Sequence, residues 1–295
     1  MKNKIIAGLK LMRVKHYIKN ILIFLPIIFG KQIFRIDLDI KVLCGFIAYC
    51  LVSSIIYIIN DMKDIQLDKQ HPKKCKRPLA AGEITPKEAS ALIIFLFLLV
   101  VCIITICHFP IGAILVLSTY FLLNIAYSIE LKNKPIIDII ILVAGFVLRV
   151  IFGAQITGIN VSNWLYLTIM ALSFYLALGK RRNEMIKIAE QGKEETRKVL
   201  KYYNKDFLDK NMYMFLGATI IFYALWCSSP VIPNNEYLIW TIPFVIAIFM
   251  KYSLIIEKDS YGDPVEVLLH DKTLILLVLI YGFIMALILY LPFIY

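Results

Sequence analysis

The sequence has little charge: 18% of its 295 residues are Asp, Glu, Lys or Arg, whereas 60% are hydrophobic. Together with a mean hydropathy of +0.76, this composition excludes an ordinary soluble domain. Cysteine and histidine are also scarce, at six and four residues. No Cys-x-x-C pair occurs and the histidines are scattered along the chain, so neither a zinc site nor a dithiol redox site is expected.

Long apolar runs are the dominant feature. Nine of them approach the roughly 20 residues that cross the hydrocarbon core of a bilayer. The first is the weakest, because Pro26 and Gly30 interrupt it and Lys31 ends its apolar part. We predict an all-α, polytopic membrane protein with one transmembrane domain (residues 1–295) and no cleavable signal peptide. The nine predicted spans are 20–36, 42–60, 89–107, 111–127, 136–154, 164–179, 212–229, 237–252 and 273–291.

Basic residues are distributed very unevenly between the two predicted sides of the membrane. If the N-terminus is cytoplasmic, 28 of the 32 Lys and Arg residues fall on that side and three on the other. Cytoplasmic segments of membrane proteins carry such an excess. We therefore expect a protein of the plasma membrane with its C-terminus outside. Topology and anionic lipids account for the charge, so no nucleic-acid partner is expected. The predicted cytoplasmic loops are 61–88, 128–135, 180–211 and 251–272.

An acidic motif follows the second apolar run. Asn60, Asp61, Asp64 and Asp68 are spaced so that, on one continuous helix, their oxygen atoms share a face. Such a set suits Mg²⁺, which takes hard oxygen ligands and completes its shell with water and substrate phosphates. We interpret these four residues as metal ligands and the three aspartates as catalytic. The alternative is an ordinary solvated helix end.

Basic and polar residues beside this motif and in other loops are candidates for binding substrate phosphates. Arg149 lies inside a predicted span, where a cation is costly and normally faces a wet interior, although a structural hydrogen-bond donor is the alternative. Lys132 and Arg149 are also assigned as catalytic. Lys73, Lys76 and Arg77, just after the acidic motif, would hold phosphate charge beside the metal. Further basic candidates for phosphate binding are Lys15, Lys19, Lys132, Arg149, Lys180 and Arg182. Further substrate-binding candidates are Asn20, Tyr127, Ser128 and Asp138.

A helix start is also readable in the loop that follows. Thr85 is a plausible N-cap, Pro86 stands at the first helical position and Glu88 at the third. We therefore predict that a helix begins at Pro86.

The acidic motif, with His71-Pro72 and Arg77-Pro78 after it, resembles that of the UbiA-type membrane prenyltransferase superfamily. More narrowly, the chain looks like the decaprenyl-phosphate phosphoribosyltransferase branch. The resemblance implies a nine-helix bundle whose central cavity opens to the cytoplasm. It also implies a Mg²⁺-dependent transferase that joins 5-phosphoribosyl diphosphate to a polyprenyl phosphate and releases diphosphate. The narrower resemblance rests on Lys15-x-x-x-Lys19-Asn20, Tyr127-Ser128-x-x-Leu131-Lys132, Gly145-Phe146-Val147-Leu148-Arg149, Gly179-Lys180-Arg181-Arg182-x-Glu184 and Gly262-Asp263-Pro264-x-Glu266.

Two other function classes remain open at this point. A relative that moves a prenyl group from prenyl diphosphate to an aromatic or other small acceptor would use much the same acidic motif. A transporter without chemistry is the non-enzymatic alternative, in which Arg149 would mark a permeation route. A homo-oligomer also remains open.

Overall fold

The computed structural model describes residues 2–71, 74–191, 198–229, 235–258 and 264–290. All regular structure in these residues is helical, as the sequence predicts. Short 3-10 helices join several of the α-helices. The α-helices are α1 (Lys2–Leu11), α2 (Leu25–Phe29), α3 (Ile36–Lys63), α4 (Ile65–Gln70), α5 (Pro86–Ile106), α6 (Ile111–Ile129), α7 (Ile137–Thr157), α8 (Asn163–Gln191), α9 (Lys205–Cys227), α10 (Asn235–Leu238), α11 (Ile242–Lys258), α12 (Pro264–His270) and α13 (Lys272–Tyr290).

Six helical segments in the described residues are long and apolar enough to cross a membrane. They are α3, α5, α6, α7, the α10–α11 segment Glu236–Glu257, and α13. The predicted number of nine spans is therefore not confirmed. Helices α8 and α9 have the necessary length but contain more polar residues, and the first apolar run is not an α-helix throughout. The chain is nevertheless an integral membrane protein with several helical spans.

The chain divides into two compact units. The first comprises Met1–Ile28, Gln32–Ile129 and Leu148–Ile159, and the second comprises Phe29–Lys31, Glu130–Val147 and Asn160–Tyr295. Each unit has its own apolar core. The cores lie around Tyr49, Tyr120 and Phe152 in the first unit and around Tyr175 and Met212 in the second. The predictions of one domain with a central cavity stay predictions.

The first apolar run begins inside a 3-10 helix, Val14–Phe24, and continues into the short helix α2. It packs against α3 and against the second half of α7 within the first unit. Gly153 of α7 is essential to this contact, because a Cβ atom there would lie 2.1 Å from the backbone oxygen of Ile23. The absence of a side chain thus lets the two backbones approach closely.

The acidic motif does not lie on one continuous helix, so that prediction is wrong. Helix α3 ends at Lys63, and Asp64 (φ −93°, ψ 9°) separates it from α4. The predicted helix start at Pro86 is confirmed. The Thr85 hydroxyl accepts a hydrogen bond from Glu88 N, and Glu88 Oε2 accepts one from Thr85 N, which forms a complete capping box.

Candidate active site

Two carboxylates and two guanidinium groups meet in the first unit. Asp61 Oδ1 accepts hydrogen bonds from Arg13 Nη2 at 2.6 Å and from Arg77 Nη1 at 3.0 Å. The same Arg77 nitrogen donates to Asp68 Oδ2 at 2.6 Å. We call these four residues the Asp61 cluster. Its two negative and two positive charges balance, which allows both carboxylates to be buried at 2% exposure.

The Asp61 cluster retains open positions for ligands. In the described part of the chain, Oδ2 of Asp61 and Oδ1 of Asp68 accept no hydrogen bond, and the Arg13 and Arg77 side chains are 22% and 25% exposed. Each arginine uses only one nitrogen in the cluster. The cluster therefore offers carboxylate oxygens to a cation and guanidinium N–H groups to an anion on the same patch.

Arg13 is the member of the cluster that sequence reasoning missed. It links α1 to the 3-10 helix and has a left-handed backbone (φ 54°, ψ 46°), and its guanidinium lies 4.7 Å from the centre of the Tyr57 ring. Helix α1 is positioned by Ala7 and Leu11, which pack in a buried apolar group with residues of α3 and α5. The sequence shows only one more basic residue in a basic N-terminal segment, and neither the conformation nor this packing is visible in it.

Not all of the predicted metal ligands come together. Asn60 and Asp64 are half-buried, and neither belongs to the Asp61 cluster. Within the described ranges no group of three His, Cys, Asp or Glu side chains is close enough to share a metal ion. Helix α3 ends at Lys63 and α4 begins at Ile65, so the four predicted ligands are not held on one helix face.

Arg149 occupies a separate buried site in the first unit. Its Nε donates to Asn20 Oδ1 at 2.7 Å and its Nη2 to the Tyr120 hydroxyl at 3.1 Å. The guanidinium also lies over the rings of Tyr49 and Tyr120, at 5.2 and 5.0 Å from their centres. Two predicted residues 129 positions apart, Asn20 and Arg149, are thus in direct contact. The arrangement ties α7 to the 3-10 helix of the first run.

Asp138 belongs to a fully buried ion pair in the second unit. Its Oδ2 accepts from Arg181 Nε at 2.6 Å, and its Oδ1 accepts from the Tyr203 hydroxyl at 2.6 Å. Arg181 also donates to Glu184 Oε2 at 2.7 Å. Burial, and then the hydrogen bond to Asp138, raise the pKa of the Tyr203 phenol. The network holds α7, α8 and the segment before α9 together.

Arg182 is likewise engaged with carboxylates. It is 2% exposed, donates from Nε to Asp209, and donates from Nη2 to Glu257 Oε1 at 2.8 Å. Two carboxylates thus already balance the charge of this buried guanidinium.

The other predicted residues are spread over both units. Lys15 and Lys76 are exposed, Lys19 and Tyr127 are half-buried, and Ser128 is buried in the first unit. The carbonyl oxygens of Ser128 and Ile129 accept hydrogen bonds from Lys63 Nζ, both at 3.0 Å. Lys132 and Lys180 are half-buried in the second unit. Lys73, and Gly262 and Asp263 of the last motif, lie outside the described residues.

Comparison with known proteins decides the family. Residues 26–270 match the UbiA prenyltransferase family. The chain belongs to the UbiA prenyltransferase family. A protein of Corynebacterium glutamicum named decaprenyl-phosphate phosphoribosyltransferase is 31% identical over 96% of this chain and 86% of its own length. A protein of the same name from Mycolicibacterium smegmatis is also 31% identical, over 94% of this chain and 91% of its own.

Solved UbiA structures share the fold. A UbiA homolog from Archaeoglobus fulgidus, bound to GPP and Mg²⁺, superposes with a TM-score of 0.69 over 96% of both chains, at 19% identity. The resemblance read from the sequence is thus confirmed for the UbiA family. The chain is a membrane transferase of this family, which removes the transporter alternative.

Proposed function

We propose that this UbiA-family protein transfers a 5-phosphoribosyl group from phosphoribosyl diphosphate to a polyprenyl phosphate and releases diphosphate. The observation that carries the proposal is the Asp61 cluster, in which buried carboxylates meet two partly exposed arginines. Such a patch suits a metal-bound diphosphate, whose cation and anion need opposite charges side by side. The names of the relatives from C. glutamicum and M. smegmatis support the choice of donor and acceptor.

The oxygen ligands that the cluster offers suit Mg²⁺. Asp61 and Asp68 supply two hard oxygen ligands, and Asn60 and Asp64 lie within a few residues of them. Mg²⁺ is usually bound by one or two carboxylates, with water and substrate phosphates completing its octahedron. Two close carboxylates are therefore sufficient, and a third in direct contact is not required.

Binding and electrostatics account for the reaction that we propose. Mg²⁺ would supply neutralisation of the charge that develops on the departing diphosphate. Arg77, and Lys73 and Lys76 near it in sequence, would bind the phosphates of the donor. The ribosyl carbon becomes oxocarbenium-like as the diphosphate leaves, and a phosphate oxygen of the lipid attacks it from the opposite face. That oxygen is already ionised at neutral pH, so no general base is needed.

The remaining basic candidates are assigned to the two phosphates without distinction, and the uncharged and acidic candidates to substrate binding in general. We propose Lys132 and Arg149 as further catalytic residues, with the active site on the cytoplasmic face. The other proposed binding residues are Lys15, Lys19, Asn20, Tyr127, Ser128, Asp138, Lys180 and Arg182.

A substrate panel tests the proposal. Purified protein is incubated with Mg²⁺ and either labelled phosphoribosyl diphosphate plus polyprenyl phosphates of different lengths, or labelled prenyl diphosphate plus aromatic acceptors. We expect label from the first donor to appear in the lipid fraction and the second donor to be untouched. Consumption of prenyl diphosphate alone would assign the protein to the other kind of UbiA chemistry.

A further inference from the structure

Arg13 has the properties of a ligand-binding residue and not only of a structural counter-ion. It donates one hydrogen bond, from Nη2 to Asp61. Within the described residues its Nε and Nη1 groups have no hydrogen-bond partner, and the side chain is 22% exposed. Its ring contact with Tyr57 holds the guanidinium plane in place. A planar fork with free N–H groups beside a carboxylate is suited to bidentate contact with phosphate oxygens.

The backbone of Arg13 supports the same interpretation. A left-handed conformation costs a residue other than glycine about 1 kcal/mol or more, and such residues concentrate at functional sites. Helix α1 is packed on one side of Arg13 and the 3-10 helix follows on the other, so the surrounding structure imposes the conformation. It places the guanidinium on Asp61, which Arg77 already contacts.

The charge balance of the cluster indicates how Arg13 acts. Two carboxylates face two arginines, so a divalent cation arriving alone would meet the positive charge of both arginines and compete with them for Asp61. A cation that arrives with a diphosphate brings anionic oxygens. These oxygens can accept the arginine hydrogen bonds that Asp61 loses when it binds the cation. Exchange of partners then leaves no buried charge unpaired.

We propose that Arg13 is an exchangeable counter-ion, which occupies Asp61 in the empty site and moves to the diphosphate when metal and diphosphate bind together. This role rests on the proposed function and adds a binding order to it. Arg13 suppresses binding of the divalent cation alone and promotes binding of the cation with diphosphate. It is a substrate-contacting residue supplied by the N-terminal segment.

Metal binding without turnover tests this role. Binding of Mn²⁺ to the full-length protein in detergent is measured by electron paramagnetic resonance, with and without inorganic diphosphate, for the wild type and for Arg13→Gln. We expect the substitution to tighten binding of Mn²⁺ alone by about 3- to 10-fold, because its competitor is gone. The same substitution should reduce, by a similar factor, the degree to which diphosphate enhances Mn²⁺ binding.

Two further variants complete the design. Lys10→Ala removes an exposed cation three residues away on α1 and should match the wild type in both measurements. Arg13→Lys keeps the charge but loses the planar fork and should reduce the diphosphate enhancement while leaving binding of Mn²⁺ alone nearly unchanged. This variant preserves the test if Arg13→Gln does not fold.

The exchange predicts that Arg13→Gln tightens binding of Mn²⁺ alone but reduces its enhancement by diphosphate, and other results contradict it. If Arg13→Gln weakens Mn²⁺ binding both with and without diphosphate, Arg13 has a structural role and the exchange is wrong. The same conclusion follows if neither measurement changes. If the wild type itself shows no enhancement by diphosphate, the proposed function fails together with the exchange.

Discussion

At the scale of single residues, Arg149 shows how a costly charge is stabilised inside an apolar span. Its guanidinium bonds to the neutral groups of Asn20 and Tyr120 and lies over two tyrosine rings. Hydrogen bonds that involve a charged group contribute about 1.5 to 3 kcal/mol each, and leaving one partner unsatisfied costs at least as much. The contact with Asn20 is therefore important for stability whatever Arg149 contributes to binding.

A double-mutant cycle tests this contact. Arg149→Gln and Asn20→Ala should each lower the stability by about 2 kcal/mol, and the double variant should lose about 1 kcal/mol less than the sum of the two. Stability is measured by denaturant unfolding of the purified protein in detergent. Strictly additive losses would mean that the two side chains do not interact in the folded protein.

Individual site residues could be predicted only in part from the sequence. Asp61, Asp68 and Arg77 follow from the motif, and they do come together. Arg13 could not be predicted, because its role depends on a left-handed backbone and on the packing of α1. The carboxylate partners of Arg182, at positions 209 and 257, come from distant elements and could not be predicted either.

At the scale of elements, apolar runs predict the positions of helices better than the type of helix, α or 3-10. All but the first of the nine predicted runs fall on long helical segments. The first contains Pro26 and forms a 3-10 helix followed by a short α-helix, a distinction that hydropathy does not carry. The capping box at Thr85 was predictable because it depends on neighbouring residues alone.

The close approach of α7 to this 3-10 helix gives a prediction about glycine. Gly153→Ala would place a Cβ atom 2.1 Å from Ile23 O, so one backbone must move, and we expect a loss of about 2 kcal/mol in stability. The control is Gly217→Ala in α9, where no atom lies within 4 Å of the added carbon. That variant should be neutral or slightly stabilised, since alanine favours helix.

Thermal unfolding of both alanine variants in the same detergent provides the comparison. A lower unfolding temperature for Gly153→Ala alone supports the close contact. Equal unfolding temperatures would show that the first run does not pack on α7 in this way.

At the scale of the whole molecule, the asymmetry of positive charge predicts which side of the membrane holds the Asp61 cluster. Cys75 lies in the basic segment between α4 and α5 and is half-buried. In a variant that retains only this cysteine, we expect an impermeant thiol reagent to label it in inside-out vesicles and not in intact cells.

A second single-cysteine variant provides the control for topology. Arg35→Cys, at a side chain 59% exposed in the segment before α3, should be labelled from outside intact cells. Labelling of Cys75 in intact cells, with Arg35→Cys protected, would reverse the orientation.

The central claim is that the Asp61 cluster binds the metal-diphosphate of a phosphoribosyl donor. It is tested most directly by the rate of transfer from labelled phosphoribosyl diphosphate to polyprenyl phosphate at saturating Mg²⁺. The wild type is compared with Asp61→Asn, and with Glu83→Gln as an exposed acid of the same unit. We predict one diphosphate released per lipid-linked phosphoribose, a roughly 100-fold or greater loss for Asp61→Asn, and no loss for Glu83→Gln. Near-normal transfer by folded Asp61→Asn would contradict the account.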